Sequence, residues 1–553
     1  MALGLGLRNL RRVREILSVL VIDYGFGYVV DHLGIGRHLP GVARRRPSRE
    51  LESIPGPRRL RLALAELGPT FIKLGQMLGA RGDLFPPQVI VELRRLQDEG
   101  PQVPFPEIRG IIERELGRPI EQCFASVDPD PLATASMGQV HGAVLPSGRE
   151  VTVKVLRPEV RRQVETDLQI LSDLATLLHH QVPSLRRYDL PSFVRQFSTQ
   201  MEDEMSYTIE AHSAERLRES LAGAGVNVQI PEVIWDLTTR EVLTTERVYG
   251  QRADRAPVLA EGVGRREVAA EIGHAILHQM FVDGFFHGDP HQANMLIGED
   301  GRIVLVDFGI MGYLDPSTRR LVGEALRRVY EQDVDGLVAT MSELGTVSAD
   351  TDLQSLRNEL ARIVSRFMLL PRRDFPMGEV LTRTIRALWL NGMRVPAELS
   401  LAAKALLYAE SVATDLDKDF DFRDIAEPVL HEARAREFTP KALADRLVRN
   451  LESTVRTVQR IPARVDRVLS LMEHGALRVR LEDVEIESRW GRMGRVLNRV
   501  GLSLLAAGLL IAGAMFLVHA GHPTHVGMGT AAIILGSLTG LVVVLRTLRP
   551  GQL

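Results

Sequence analysis

The chain is 553 residues long, which at about 150 residues per domain leaves room for three or four domains. Hydrophobic residues make up 45% and charged residues 25%, the balance of a folded protein and not of a disordered one. Lys and Arg total 68 against 70 Asp and Glu, a net charge of −2, and Cys123 is the single cysteine. This excludes a globally basic nucleic-acid binder, an internal disulfide and a cysteine-based metal cluster. Five of the 68 basic residues are lysines: Lys73, Lys154, Lys404, Lys418 and Lys441. In a chain that otherwise supplies positive charge with arginine, a retained lysine hints at a place that needs a compact ammonium.

Residues 7–22 (LRNLRRVREILSVLVI) predict a basic amphipathic helix, with Leu10, Val13, Leu17 and Leu20 on one face and the arginines largely elsewhere. Two readings are open: it lies on an anionic membrane surface, or it packs on the protein with its arginines solvated. Gly41 to Arg61, with Arg44, Arg45, Arg46, Pro47 and Pro55, reads as a polar linker. Helices are expected from Arg61 to Leu116. Gln139–Leu145 and Arg149–Val155, joined by Pro146-Ser147-Gly148, predict a β-hairpin in which Val151, Val153 and Val155 alternate. Residues 163–220 read as helical, and Pro231 to Val248, containing VIWDL and EVLTTERV, as strands. From Arg266 to Pro462 the pattern is mainly helical, interrupted by strands Met295–Ile297 and Ile303–Val306 around a Gly298–Gly301 turn.

Near the C-terminus, Val500–Val518 and Val526–Leu545 contain no charged residue. At about 1.5 Å per residue each would cover roughly 30 Å, the thickness of a bilayer core. Arg489, Arg492, Arg495 and Arg499 precede the first stretch, and Arg546 and Arg549 follow the second. The expectation is a transmembrane hairpin with both ends cytoplasmic, its helices brought close by Gly508 with Ala512 and Gly536 with Gly540. His519, His522 and His525 fall in the connecting loop and read as polar loop residues before they read as metal ligands.

The most specific run is His287-Gly288-Asp289-Pro290-His291-Gln292-Ala293-Asn294, followed by Val306-Asp307-Phe308-Gly309. Kinase-like phosphotransferases need this order. An Asp in the catalytic loop receives the proton of the attacking hydroxyl or water, and an Asn five residues on and the Asp of D-F-G hold Mg²⁺ on nucleotide phosphates. Asp289 is therefore the candidate catalytic residue, and Asn294 and Asp307 the candidate metal ligands. His287 reads as a support for the loop. Upstream, Val151-Thr152-Val153-Lys154 has the form of the strand that carries a phosphate-reaching lysine; its carboxylate partner is Glu204 or Glu210, with Glu210 preferred. Before the hairpin, where a phosphate-covering loop belongs, stands Ala133-Thr134-Ala135-Ser136-Met137-Gly138. Alanines replace the glycines that would let this backbone close over phosphates. With Lys154, Glu210 and Glu246, the residues Ala133, Thr134, Ala135 and Ser136 form the expected nucleotide-binding set.

Lys73-Leu74-Gly75-Gln76, LRRLQD at Leu93–Asp98, the Ala-rich PLATASMGQVH, VTVK, the glutamate segment, HGDPHQAN and VDFG stand in this order. The chain thereby resembles the UbiB (AarF/ADCK-type) family of atypical kinases from about residue 60 to 430. The resemblance implies an α+β, protein-kinase-like two-lobed fold with an α-helical N-terminal extension and the C-terminal two-helix transmembrane hairpin. Its parts would be 1–60 (amphipathic helix and linker), 61–130 (helical extension), 131–250 (N-lobe), 251–435 (C-lobe), 436–495 (linker) and 496–553 (hairpin). It also implies Mg²⁺ and ATP (or ADP) as ligands, a multi-pass membrane location, and a membrane lipid or quinone precursor and quinone-biosynthesis enzymes as partners, with no nucleic acid. Lys73 and Gln76 are implied to be active-site residues that restrain protein phosphorylation. Two departures stand out: the family's E-x-D is Glu204-Met205-Ser206 here, which removes one carboxylate expected near Lys73, and Thr134 adds a hydroxyl to the Ala-rich loop. A nucleotide-binding pseudokinase scaffold and a small-molecule phosphotransferase of the aminoglycoside or choline kinase type are the alternatives.

Overall fold

The structure is a computed structural model that describes residues 10–26, 54–79, 86–93, 95–96, 100–182, 189–255, 258–347, 351–369, 377–393, 395–437, 534, 535 and 537. The chain divides into two compact units, Met1–Ala444 and Asp445–Leu553, and the first holds all the elements below.

The first unit opens with α1 (Leu10–Leu17), which runs into a π turn at Ser18–Asp23, then α2 (Gly56–Leu67), α3 (Pro69–Gly79) and α4 (Pro87–Leu93). The linker expected to reach Arg61 ends earlier, because Pro57 in the first turn starts α2. Ile16, Val19, Leu64, Leu67, Phe71, Leu93 and Leu96 form one buried cluster. The apolar side of α1 is thus used inside the protein, which favours the packed reading over the membrane-surface one. Arg12 is not on a solvated face: it turns inward to Asp167. Gly75, in the middle of the K-x-G-Q motif, is where Leu96 and Leu64 lie against the α3 backbone, and a Cβ there would run into both.

Next come α5 (Phe105–Leu116), α6 (Ile120–Cys123), β1 (Ser126–Thr134), β2 (Gly138–Val144), β3 (Glu150–Leu156), α7 (Val160–Gln181), α8 (Leu190–Glu204), α9 (Tyr207–Ala222), β4 (Val228–Gln229), β5 (Val242–Glu246) and β6 (Gln251–Arg252). Strands β1, β2, β3 and β5 form an antiparallel sheet in that order. Val151, Val153 and Val155 are buried against Ile108, Ile111 and Ile112 of α5. Side chains alternate along a strand, so Lys154 stands on the opposite face. VIWDL, expected as a strand, is instead a 3₁₀ turn at Trp235–Leu237. Its β-rich composition is outweighed by hydrogen bonds of Thr238 Oγ1 to the carbonyls of Ile234 and Thr244, which close a turn.

The other half is mainly helical: α10 (Arg265–Leu277) with a π turn at His278–Asp283, β7 (Phe285–His287), β8 (Met295–Ile297), β9 (Ile303–Leu305), β10 (Met311–Tyr313), α11 (Pro316–Tyr330), α12 (Val334–Leu344), α13 (Leu353–Leu369), α14 (Met377–Leu390), α15 (Ala397–Leu416) and α16 (Phe422–Glu437). Two small sheets, β4-β9-β8-β6 and β10-β7, carry the motif loops between them.

The transmembrane expectation is corrected. Among the described residues no helix is long and apolar enough to cross a membrane. Val500–Val518, and Val526–Leu545 apart from helical Ile534, Leu535 and Ser537, lie outside the described residues, as do His519, His522 and His525. The multi-pass assignment and the cytoplasmic side inferred from it are withdrawn.

Candidate active site

Lys154 organises the site. Its Nζ donates to Glu210 Oε1 at 2.7 Å and Oε2 at 2.9 Å and lies 3.5 Å from Asp307 Oδ1. It also sits 5.2 Å from the ring centroid of Tyr207, a cation–π contact. Burial works against its charge, but Asp307 and Glu210 outweigh that and hold the ammonium well above the usual lysine range. Glu210 comes from the first turn of α9 and is buried. Its carboxylate also accepts from the Phe308 N–H at 3.4 Å, tying the N-lobe lysine to the D-F-G segment.

Asp307 adopts φ +65°, a left-handed conformation costing about 1 kcal/mol for a residue with a side chain, though Asp tolerates it better than most. That backbone lets Asp307 Oδ1 accept from the Gly309 N–H at 3.2 Å. Burial pushes the carboxyl up, but Lys154 and Lys73 prevail and hold it well below the usual carboxylate range. Its side chain keeps 46% of its surface exposed, so a ligand can reach it.

The catalytic loop is built by its own short-range bonds. His287 is buried, and burial lowers its pKa, so the ring is neutral. Its Nδ1 accepts from the Asp289 N–H at 3.1 Å, and its ring lies 5.8 Å from that of Phe308. The His287 N–H in turn donates to Gln279 Oε1 at 2.9 Å. His287 is thus a strut between the loop and D-F-G, as its sequence position implied. Asn294 Nδ2 donates to the Asp289 carbonyl at 3.2 Å, and the Val306 N–H donates to the Asn294 carbonyl at 3.0 Å. The amide oxygen of Asn294 and the carboxylate of Asp307 are hard ligands of the type Mg²⁺ takes beside nucleotide phosphates. Among the described residues no group of three His, Cys, Asp or Glu side chains gathers to hold a metal alone. An Asn–Asp pair that shares its ion with phosphates does not need one.

The Ala-rich loop lies at the β1–β2 turn, where Thr134 pairs with Gln139 and Ala133 with Val140. The Ala135 N–H donates to the Gly138 carbonyl at 2.8 Å, and Ser136 is buried. Arg157 clamps this turn from behind, donating to the Ala135 carbonyl at 2.9 Å and to the Pro101 carbonyl. Gln139, fully buried, exchanges two bonds with the Val103 backbone, at 2.9 and 3.1 Å. The strap at Gly100–Val103 therefore braces the loop. Gly138 is needed because a Cβ there would strike the Tyr207 hydroxyl.

On the helical extension, Lys73 pairs with Glu204, both side chains being about nine-tenths buried. Gln76 Nε2 donates to the Leu96 carbonyl at 3.2 Å, bracing α3 against the segment that follows α4. Glu246 stands at the far end of β5, opposite Val151, 3.8 Å from Arg149. Lys154 is paired with Leu243, so Glu246 is three residues, roughly 10 Å, along the strand. The structure thus brings Lys154, Glu210 and Asp307 together, with the charge of Lys73 acting on Asp307, and leaves Glu246 apart.

Residues 95–341 match the ABC1 atypical kinase-like domain, and residues 360–421 the UbiB helical domain. A protein of Xanthomonas campestris pv. campestris named probable protein kinase UbiB is 31% identical over 500 residues, covering 88% of this chain and 89% of its own. The chain belongs to the UbiB family. The uncharacterized protein sll1770 of Synechocystis sp. is likewise 31% identical, over 89% of this chain and 84% of its own. An erythromycin complex of Rv3197 from Mycobacterium tuberculosis is 22% identical, with a TM-score of 0.45 over 64% of this chain and 90% of that one.

The UbiB helical domain holds a residue that motif reading passed over. Lys404, on α15, lies 3.0 Å from Asp289 Oδ1. Lysine rarity was the one signal for it. Gln139, next to the Ala-rich loop in sequence, and Arg157, just beyond β3, were also missed.

Proposed function

We propose that this UbiB-family chain is a Mg²⁺-dependent adenine-nucleotide phosphotransferase whose principal reaction is ATP hydrolysis, with ADP as a second nucleotide ligand, in support of isoprenoid quinone biosynthesis. The observation that carries the reading is Lys154 held between Glu210 and Asp307, 2.7 and 3.5 Å away. A lysine fixed by one carboxylate beside a second, exposed one is what a triphosphate tail and its metal require. When bound, Mg²⁺ would neutralise charge on the phosphates, with Asn294 and Asp307 to hold it. Lys154 binds phosphate oxygens, Ala133, Thr134, Ala135 and Ser136 cover them, and Asp289 orients the nucleophile and receives its proton.

Water is the acceptor this reading favours. Lys73 is committed to Glu204, and α3 is fastened to the body of the protein by the Thr70–Asp167 bond of 2.8 Å. A helix fixed there leaves little room for a protein hydroxyl. Lys73 then acts as a restraint on the site, and a quinone precursor and its biosynthetic enzymes are what hydrolysis serves. The test is release of labelled phosphate from ATP by the purified full chain, with Asp307→Asn as control, beside quinone-intermediate profiling in a strain lacking the gene. Equal phosphate release by both proteins defeats the enzymatic reading. Unchanged quinone intermediates defeat the pathway.

A further inference from the structure

The catalytic loop carries no cation of its own. Between Asp289 and Asn294 stand Pro290, His291, Gln292 and Ala293. The His291 ring faces Tyr408 at 6.2 Å, and Gln292 Nε2 donates to Asp415 Oδ2 at 2.9 Å. Both partners lie on α15, and so does Lys404, whose Nζ is 3.0 Å from Asp289 Oδ1. Leu401, one turn earlier, packs where a Cβ on Gly288 would be. Positions 401, 404, 408 and 415 share one helical face, so α15 lies along the loop. The pair is not a surface ornament: the side chains of Lys404 and Asp289 are 24% and 19% exposed. The ammonium also stands 5.4 Å from the Tyr408 ring centroid.

We propose that Lys404 is a positioning residue of the reaction, delivered from the UbiB helical domain, and that it supplies the positive charge the catalytic loop lacks. The inference rests on the nucleotide-hydrolysis reading above. Lys154 is bracketed by Glu210 and Asp307, and Lys73 is paired with Glu204. Lys404 occupies one oxygen of Asp289, which leaves the other for the nucleophile. As water attacks, its oxygen bonds to the γ-phosphorus. The bond from that phosphorus to the bridging oxygen breaks, its electron pair staying on ADP. The proton released by water passes to Asp289. Held by Lys404 on one side, Asp289 keeps its other oxygen toward the nucleophile until that proton has passed. Orientation of a proton-accepting carboxylate is the kind of term whose removal lowers turnover more than binding.

The test uses the full chain with Lys404 as wild type, Lys404→Met and Lys404→Arg. It measures Mg²⁺–ATP affinity with a fluorescent analogue, steady-state phosphate release, and the thermal midpoint. The expected result for Lys404→Met is a kcat roughly 100-fold lower, with nucleotide affinity and KM within about threefold of wild type and an unchanged midpoint. Lys404→Arg should recover part of kcat, since charge is restored with different geometry. A Lys404→Met kcat within about twofold of wild type overturns the proposal. So does a loss that is equal in Met and Arg and accompanied by a fallen midpoint, which would make the pair structural. A wild-type chain that neither binds nor hydrolyses Mg²⁺–ATP brings down the function reading itself and this inference with it.

Discussion

Arg12 and Asp167, 155 residues apart, form an ion pair at 2.8 and 3.0 Å that joins the N-terminal helix to α7. Asp167 has no exposed surface, and its second oxygen also accepts from Thr70 Oγ1 at 2.8 Å. Thr70 stands three residues before Lys73, so this carboxylate fastens the K-x-G-Q helix to α1 and α7 together. Removing Arg12 strands a buried charge with one hydroxyl. Arg12→Ala should therefore cost roughly 3–5 kcal/mol, whereas Arg12→Leu with Asp167→Leu should cost less than the single change. A double-mutant cycle by urea unfolding checks this, and additive losses would contradict it.

Gly138 closes the Ala-rich turn against the Tyr207 hydroxyl, and Tyr207 is only 2% exposed. Because the ring cannot swing away, Gly138→Ala is overpacked and should lose about 2 kcal/mol. The same change should weaken nucleotide binding, since Tyr207 lies under Lys154. Tyr207→Phe in the same chain removes the clashing oxygen and should restore most of the stability. Thermal melts of the three variants decide it; a double variant no better than Gly138→Ala refutes the steric account.

Glu410 on α15 accepts the N–H groups of Met377 at 3.0 Å and Gly378 at 3.1 Å, closing the start of α14. Burial raises its pKa from 4.5 to about 7, the two backbone bonds opposing. Between those values the folded chain holds a proton that the unfolded chain releases, so the contribution of Glu410 to stability is fully present below pH 4.5 and is lost as pH rises to about 7. The contribution is about 3 kcal/mol. Subtracting the pH profile of Glu410→Gln from that of wild type isolates it. A flat difference across this range would show that Glu410 does not titrate there.

Legibility followed the range of the physics. The β-hairpin was readable because Val151, Val153 and Val155 alternate locally, and the catalytic loop because Asp289, Asn294 and Asp307 keep a fixed spacing. Order left Glu204 and Glu210 as candidate partners of Lys154, with Glu210 preferred, and the structure places Glu210 2.7 Å from the lysine. Lys404 could not be assigned, because its contact with Asp289 reaches across more than a hundred residues and follows from how α15 packs. The inward turn of Arg12 was hidden in the same way. Lysine usage was the better clue: Lys73, Lys154 and Lys404 all pair with acidic groups of this site, whereas Lys418 pairs with Asp415 on the surface. Glu204 shows the converse. Although Ser206 replaces the second carboxylate of the family's pattern, Glu204 still meets Lys73. Where composition was asked to stand for architecture, as in VIWDL, the reading had to be corrected.

We propose that Lys154, Asn294 and Asp307 together hold a Mg²⁺–adenine nucleotide. Calorimetric titration of the full chain with ATP, with and without Mg²⁺, tests it most directly. Wild type should bind in the presence of Mg²⁺, and Asp307→Asn and Lys154→Met should each bind at least about tenfold more weakly, the loss of one charged contact to phosphate or metal. Affinity that is unaltered by Mg²⁺ and by both substitutions would place the nucleotide elsewhere and contradict the account.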